Sequence, residues 1–348
     1  MSFLNRWKGS SNLIGLDIGS HTLKAVSLKK KKSPLEIETL NYMGLPRGTV
    51  VDGDIMDAYT LEESIKELFS KEKLPQKEVV YAVSGSAVIA KRITLPKLNE
   101  EEIEDQLPII ASQYIPFSID ETNIDYQILP PEPGQAQKMP ILMVAVKKKF
   151  LEIFQNVIEG ADLKTVAVEP VSTTLANLFT LLYPEEKNVL LIHAGAYSTE
   201  AIILHNGGFA FHRHLPFGGN HITDALREAL KISLTEAESL KVSCFKEKYL
   251  PHETTEIIER SCDQLCCEVQ SAIHHALTQF PELVIEKIYL SGGTAKIVPL
   301  AAWISQKTAI ETHPLKLEKL TFNKQNLNPK YVEELEPLVP VAVGLATR

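Results

Sequence analysis

The residues best suited to chemistry lie close together near the start of the chain: Asp17, Gly19, Ser20, Thr22 and Lys24. A carboxylate, a glycine, two hydroxyls and an ammonium at this spacing suit a phosphate. Gly19 lets the backbone approach closely and reach positive φ. Ser20 and Thr22, with neighbouring N–H groups, are candidate donors to phosphate oxygens, and Lys24 supplies a point positive charge. Asp17 faces a phosphate sensibly only across a divalent cation, which makes it the candidate metal ligand. An ordinary hairpin with a glycine turn accounts for the same residues. The apolar runs Leu13–Ile18 and Leu23–Leu28 read as two β-strands that hold the turn at their tip.

The remaining composition narrows the classes. With 348 residues the chain can bury a large core and form more than one domain. Hydrophobic residues at 44% and charged residues at 23% are ordinary for a globular protein. A net charge of −8 argues against general nucleic-acid binding. The run Lys29–Lys32 reads as a solvated loop, or more sharply as a contact for anionic lipid. No apolar run reaches the length of a membrane span. Met1–Ser10 lacks the apolar region of a signal peptide, so a cytosolic location is expected. Phe3, Leu4 and Trp7 belong to a frayed terminus or touch a membrane or partner. Of the cysteines, Cys262 and Cys266 share a helix face, but with Cys244 and Cys267 they form no paired zinc pattern, which points to reduced thiols.

In chain order, Leu35–Gly44 is a third strand, an amphipathic helix follows near Leu61–Lys71 and stops at Pro75, and Glu78–Val83 is a buried strand. A unit of different character occupies 87–162. It has a strand Val88–Leu95, a helix from Glu100 capped by Asn99 and Glu102, strands Thr122–Leu129 and Pro140–Val146 around the linker Pro130–Lys138, and a helix Lys148–Gly160. Pro108 is expected to kink or break its helix. Strand Lys164–Val168 and helix Val171–Leu182 resume the first unit.

The opening plan then recurs. Val189–Ile192, a small polar turn from His193 to Thr199, and Glu200–His205 repeat strand, turn, strand, and Asn206-Gly207-Gly208 turns into a third strand. Such repetition suggests a duplicated fold with a ligand between halves. Helices are expected at His221–Leu230, Thr235–Cys244 and Thr255–Phe280. A strand Glu286–Leu290 runs into Ser291-Gly292-Gly293-Thr294, a helix follows from Val298, and a small-residue helix closes the chain at Pro337–Ala346. His212 and His214 read as surface residues of one strand face, and Glu238 and Lys241 as an exposed helical pair.

Taken in order, these motifs resemble the actin-like ATPase superfamily: an α/β fold of duplicated RNase-H-like domains. Within it the chain is similar to the type IV pilus assembly PilM family, and more loosely to FtsA. The segments carrying the resemblance are Gly15–Leu28, Val51–Ile55, Lys91–Leu98, Gln113-Tyr114-Ile115-Pro116-Phe117 with Asp125-Tyr126-Gln127, Gly218-Gly219-Asn220 with Leu234–Lys241, and Ser291–Leu300. The resemblance implies subdomain 1A over 1–86, 163–187 and 310–348, an inserted FtsA/PilM-type subdomain 1C over 87–162, 2A over 188–217 and 281–309, and 2B over 218–280. It also implies ATP and Mg²⁺ as ligands. The phosphate turns would be Asp17, Gly19, Ser20, His21 and Lys24 in the first half and Gly195, Ala196, Tyr197 and Ser198 in the second. Gly218, Gly219, Glu238 and Lys241, with Gly292, Gly293, Thr294 and Lys296, would complete the nucleotide site.

For function, the resemblance implies an ATP-binding cytosolic scaffold of the pilus inner-membrane alignment complex. It would bind the cytoplasmic N-terminal tail of PilN, communicate with pilus motor ATPases and associate with the inner membrane through its partners. Relatives usually carry an acidic residue where this chain has His193. A histidine replaces a carboxylate poorly as a holder of Mg²⁺ or of the attacking water. Slow or absent hydrolysis is therefore expected, and no catalytic residue is assigned. The alternatives are a small-molecule kinase of the same superfamily and an FtsA-like polymerising division protein. The kinase lacks an evident base at the second turn. The FtsA-like protein would carry a further C-terminal amphipathic helix.

Overall fold

A computed structural model describes residues 13–29, 34–71, 74, 77–130, 137–244, 251–323, 325 and 327–348. The expectations placed on Phe3, Leu4, Trp7, Lys30–Lys32, Pro75 and most of the Pro130–Lys138 linker lie outside these residues.

The chain opens as an antiparallel meander of β1 (Ile14–Ile18), β2 (Thr22–Lys29) and β3 (Glu36–Gly44). Strands β1 and β2 are almost wholly buried, which explains why they read as apolar runs rather than as alternating ones. A short ribbon, β4 (Val50–Val51) and β5 (Asp54–Ile55), precedes α1 (Ala58–Lys71). That helix buries the stripe Leu61, Ile65, Leu68 and Phe69. Strand β6 (Glu78–Val83) then runs parallel to β1.

Next come β7 (Val88–Pro96), α2 (Glu100–Ser112), β8 (Thr122–Ile128) and β9 (Lys138–Lys147). The three strands form a separate antiparallel sheet in the order β7-β9-β8. Asn99 and Glu102 close a reciprocal capping box on α2. The helix continues through Pro108 without the expected break. Its buried residues Ile103, Leu107 and Ala111 pack on one sheet face, with Ile93, Ile141 and Met143, as a small separate core.

Helix α3 (Lys148–Gly160), strand β10 (Lys164–Pro170) and helix α4 (Val171–Leu182) return to the first sheet. Helix α3, expected within the insert, packs against α1 and β10 as well as against β9. Phe150, Phe154 and Val157 join the first core, and Phe154 stacks on Tyr81 at 5.7 Å between ring centroids.

The second half repeats the first. The meander β11 (Val189–Ala194), β12 (Thr199–His205) and β13 (Gly208–Leu215) is followed by α5 (Gly219–Leu230), α6 (Leu234–Ser243) and the long α7 (His252–Gln279). Strand β14 (Lys287–Ser291) pairs parallel with β11. After α8 (Leu300–Thr308), β15 (Thr312–Pro314) pairs parallel with β14. The two sheets share one topology: β3-β2-β1-β6-β10 in the first and β13-β12-β11-β14-β15 in the second. Strand β16 (Thr321–Phe322) adds to the edge of β3. The chain thus returns to the first sheet between Pro314 and Thr321, later than the boundary at residue 310, because β15 remains hydrogen-bonded to β14.

Helices α9 (Pro329–Leu335) and α10 (Pro340–Ala346) end the chain. α10 packs on β1, β2 and α4. Its approach to β1 is so close that a Cβ on Gly15 would lie 2.1 Å from the Ala342 carbonyl oxygen. Cys262 and Cys266 are packed in the core of the second half, while Cys267 is exposed.

Candidate functional site

Between the two sheets lies a cavity of about 330 Å³, walled by turns from both halves. The β1–β2 turn is closed by the Gly19 N–H donating to the Thr22 carbonyl at 3.0 Å. Asp17 and Lys24 stand opposite each other in the ladder, and the Lys24 ammonium donates to Asp17 Oδ2 at 2.9 Å, with both groups buried. Lys24 is therefore the counter-ion of Asp17. One of its three N–H bonds is used there, which leaves others for a phosphate oxygen.

The β11–β12 turn is built alike, with the Gly195 N–H donating to Ser198 O at 2.9 Å. The turn after β14 lies directly behind it. Gly292 has φ +94°, and a Cβ there would come 2.3 Å from Ala194 O, so only glycine fits. Thr294 Oγ1 donates to Gly195 O at 2.7 Å. The start of α5 joins the same assembly. Gly219 N–H donates to Gly195 O at 3.0 Å, and Asn220 N–H to Ala196 O at 2.7 Å. Lys241 Nζ reaches Gly219 O at 3.2 Å, Thr223 Oγ1 at 3.0 Å and Glu238 Oε2 at 2.8 Å. Burial lowers the Lys241 pKa from its ordinary value. For Glu238 burial pulls upward, but Lys241 and Thr223 overcome it and hold the carboxyl below its usual range. The pair read as an exposed helical contact is thus a structural post under the cleft, with Lys241 buried.

Of the residues the resemblance implied, Asp17, Gly19, Ser20, His21 and Lys24 line the cavity from the first half. Gly195, Ala196, Tyr197, Ser198, Gly219, Glu238 and Lys241 line it from the second, with Gly292, Gly293, Thr294 and Lys296. Gly218 stands behind this wall, packed on Gly195 and Ala196, and its N–H donates to the His221 ring at 3.1 Å.

Residues 15–348 match the sequence profile described as type IV pilus assembly protein PilM. The chain belongs to this family. Its fold is similar to a solved "PilM-PilN type IV pilus biogenesis complex", at 25% identity and TM-score 0.84, covering 97% of this chain and 98% of that one. It is 21% identical to the cell division protein FtsA of Bacillus subtilis (strain 168) over 95% of this chain and 82% of FtsA. MreB 5 of Spiroplasma citri bound to AMPPNP shares the fold at 14% identity and TM-score 0.53, covering 88% of this chain and 92% of that one. The architecture of this PilM family member is accordingly actin-like.

The surroundings of two further residues of this PilM cleft, His193 and Glu200, were not legible from local pattern. His193 lines it, and its Nδ1 lies 3.0 Å from Ser291 Oγ. Burial lowers the imidazole pKa to about 4, with Asp17 opposing and Lys24 assisting, so the ring is neutral at pH 7. Beside it, buried Glu200 also lines the cleft. Glu200 Oε2 bonds the His212 ring and Oε1 bonds His214 Nδ1 at 2.8 Å, while His214 Nε2 bonds Asp52 Oδ1 at 2.7 Å. His212 and His214 are therefore not surface residues. The strand face they share is covered by the other half of the molecule, which supplies Asp52. Burial alone would raise the Glu200 pKa, but the two histidines drive it well below the usual carboxylate range. Burial would lower that of His214, but Asp52 and Glu200 raise it to about 10. The sequence signal was present in the alternation of Glu200, His212 and His214 on paired strands, but the partner from the β4–β5 turn was not predictable from local pattern.

Proposed function

We propose that this chain is a nucleotide-binding scaffold of the type IV pilus assembly machinery that binds the cytoplasmic N-terminal tail of PilN. The convergence of two glycine-bearing β-turns, one from each half, on one cavity carries the nucleotide part of this reading. The likeness in fold to a PilM solved as a complex with PilN supports the partner. Ser20, Lys24 and the backbone of Gly195–Ser198 would hold the phosphates, Glu238, Lys241 and Gly293 the nucleoside, and Asp17 a hydrated divalent cation. The nucleotide supplies a polyanion that both halves grip at once, so its binding favours a closed cleft.

Hydrolysis is slow or absent in this reading. His193 is neutral, and the Glu200 carboxylate is already engaged by hydrogen bonds with His212 and His214, which leaves neither free to position water. A small-molecule kinase is disfavoured for the same reason. Among the described residues no helix is long and apolar enough to cross a membrane. A place in the cytoplasm at the inner membrane, held there by PilN and near the motor ATPases, is part of the proposal.

The test is calorimetric titration of the protein with ATP and Mg²⁺, with phosphate release read from the same samples and Asp17→Ala as control. The expected outcome is micromolar binding, at least tenfold weaker in the variant, with little phosphate released. Rapid turnover would return the enzyme readings, and no binding would reduce the protein to an adaptor without nucleotide. A peptide of the PilN tail, titrated with and without saturating ATP, reads the coupling between sites; equal affinities would mean there is none.

A further inference from the structure

The cleft presents two metal-ligating groups of different chemistry. One is the Asp17 carboxylate at the end of β1, and the other is the His193 imidazole at the end of β11. The orientation of the imidazole is set from behind. Ser291 Oγ lies 3.4 Å from the Ile192 carbonyl, toward which it can direct its hydrogen, and 3.0 Å from His193 Nδ1. With that hydrogen on the Ile192 carbonyl, Ser291 Oγ is free to accept from Nδ1–H, the tautomer that leaves the lone pair on Nε2. Among the described residues no hydrogen bond engages Nε2. An N–H held by a neighbouring oxygen, with the other ring nitrogen left bare, is the arrangement by which proteins prepare histidine as a metal ligand. The charges that face this ring are those of Asp17, Lys24 and Glu200. Glu200 is engaged by His212 and His214, which leaves Asp17 as the anionic partner.

Resting on the nucleotide reading above, we propose that Asp17 and His193 Nε2 form a mixed carboxylate–imidazole seat for the divalent cation carried with the nucleotide, and that it prefers a borderline first-row ion, Mn²⁺ or Co²⁺, over Mg²⁺. Mg²⁺ takes oxygen ligands and gives up its water shell reluctantly. Imidazole nitrogen suits transition ions, whose affinity for nitrogen-containing sites rises along the row. The nucleotide's phosphate oxygens complete the coordination of either ion. Lys24, which balances Asp17 in the absence of a cation, turns to the phosphates when one binds.

The experiment titrates the full chain with a non-hydrolysable ATP analogue in EDTA, Mg²⁺, Mn²⁺ or Co²⁺ at equal free metal. Pulsed electron paramagnetic resonance is recorded on the Mn²⁺ complex. The expected result is at least tenfold tighter binding with Mn²⁺ or Co²⁺ than with Mg²⁺, together with a nitrogen coupling from imidazole on the bound Mn²⁺. In His193→Asp the coupling disappears and the preference for Mn²⁺ over Mg²⁺ narrows or reverses. Equal affinity with all three ions and no nitrogen coupling in the unmodified protein overturns the inference while leaving nucleotide binding intact. Absence of binding under every condition, EDTA included, overturns the nucleotide reading and this inference with it. Because the nitrogen signal is read first on the unmodified chain, the result does not depend on the variant folding.

Discussion

Asp52, His214, Glu200 and His212 form one hydrogen-bonded line from the β4–β5 turn of the first half to the floor of the cleft. Its titration has a defined sign. The folded-state pKa of His214 is raised, so its contribution to stability is full below the unfolded value near 6.5 and is lost as pH rises towards about 10. The Glu200 carboxyl is depressed, so its contribution is present above the unfolded value near 4.5 and is lost as pH falls below it. The expected outcome is that the melting-temperature gap between the unmodified chain and His214→Gln narrows steadily between pH 6.5 and pH 10. A gap that stays constant over that range would show that His214 acts there only through packing.

At the scale of elements, two contacts set how firmly the framework holds the site. The capping box at Asn99 satisfies two backbone donors at the start of α2, so Asn99→Ala is expected to cost about 1 kcal/mol in urea unfolding. The cleft turns lie away from this core, so nucleotide affinity should be unchanged. The contact between β1 and α10 is less forgiving. Gly15 meets the Ala342 carbonyl, and Gly344 meets Thr174 on α4, so a side chain at Gly15 must push α10 off the first sheet and one at Gly344 must push it off α4. Overpacking of this kind costs about 1–3 kcal/mol, with more where backbone is struck. Gly15→Val is expected to fall at the upper end of that range and to weaken nucleotide binding, because β1 carries Asp17. Unfolding curves and titration of the same preparation check both effects. The small-residue run of α10 was readable as a close-packing surface, but its target, β1, lies at the other end of the chain.

For the molecule as a whole, charged links between the halves beside the cleft include two among the described residues. Arg47 donates to Asp224 on α5 at 2.6 Å, partly exposed, and Asp52 bonds His214 at 2.7 Å. An exposed pair is worth about 0–1 kcal/mol, so Arg47→Ala should change little in stability. Asp52→Asn weakens the more buried link and is expected to speed nucleotide release several-fold, measured by chase with unlabelled ATP, with the melting temperature moving less than the rate. The insert is part of the same system. Strand β7 packs against β13, and Arg92 lies over the Phe280 ring at 5.7 Å, so the inserted sheet touches the second half as well as the first. Hydrogen exchange in β7 is therefore expected to slow when nucleotide closes the cleft.

Local pattern in the sequence was sufficient for the duplicated strand–turn–strand units, the amphipathic stripe of α1, the capped helix α2 and the glycine turn between Asp17 and Lys24. Each depends on residues within a few positions of one another, and periodicity and turn chemistry act at that range. The cleft residues followed because the turns occur in a recognisable order. Only the tertiary structure decided that Lys24 balances Asp17, that α3 packs with the first core, and that β15 stays in the second sheet. It alone turned His212 and His214 from apparent surface residues into partners of a buried glutamate. Those facts depend on which groups from distant segments face one another in low dielectric, where one unpaired charge outweighs many local preferences. Nothing in the spacing of His214 along its own strand discloses that Asp52 waits on the other side.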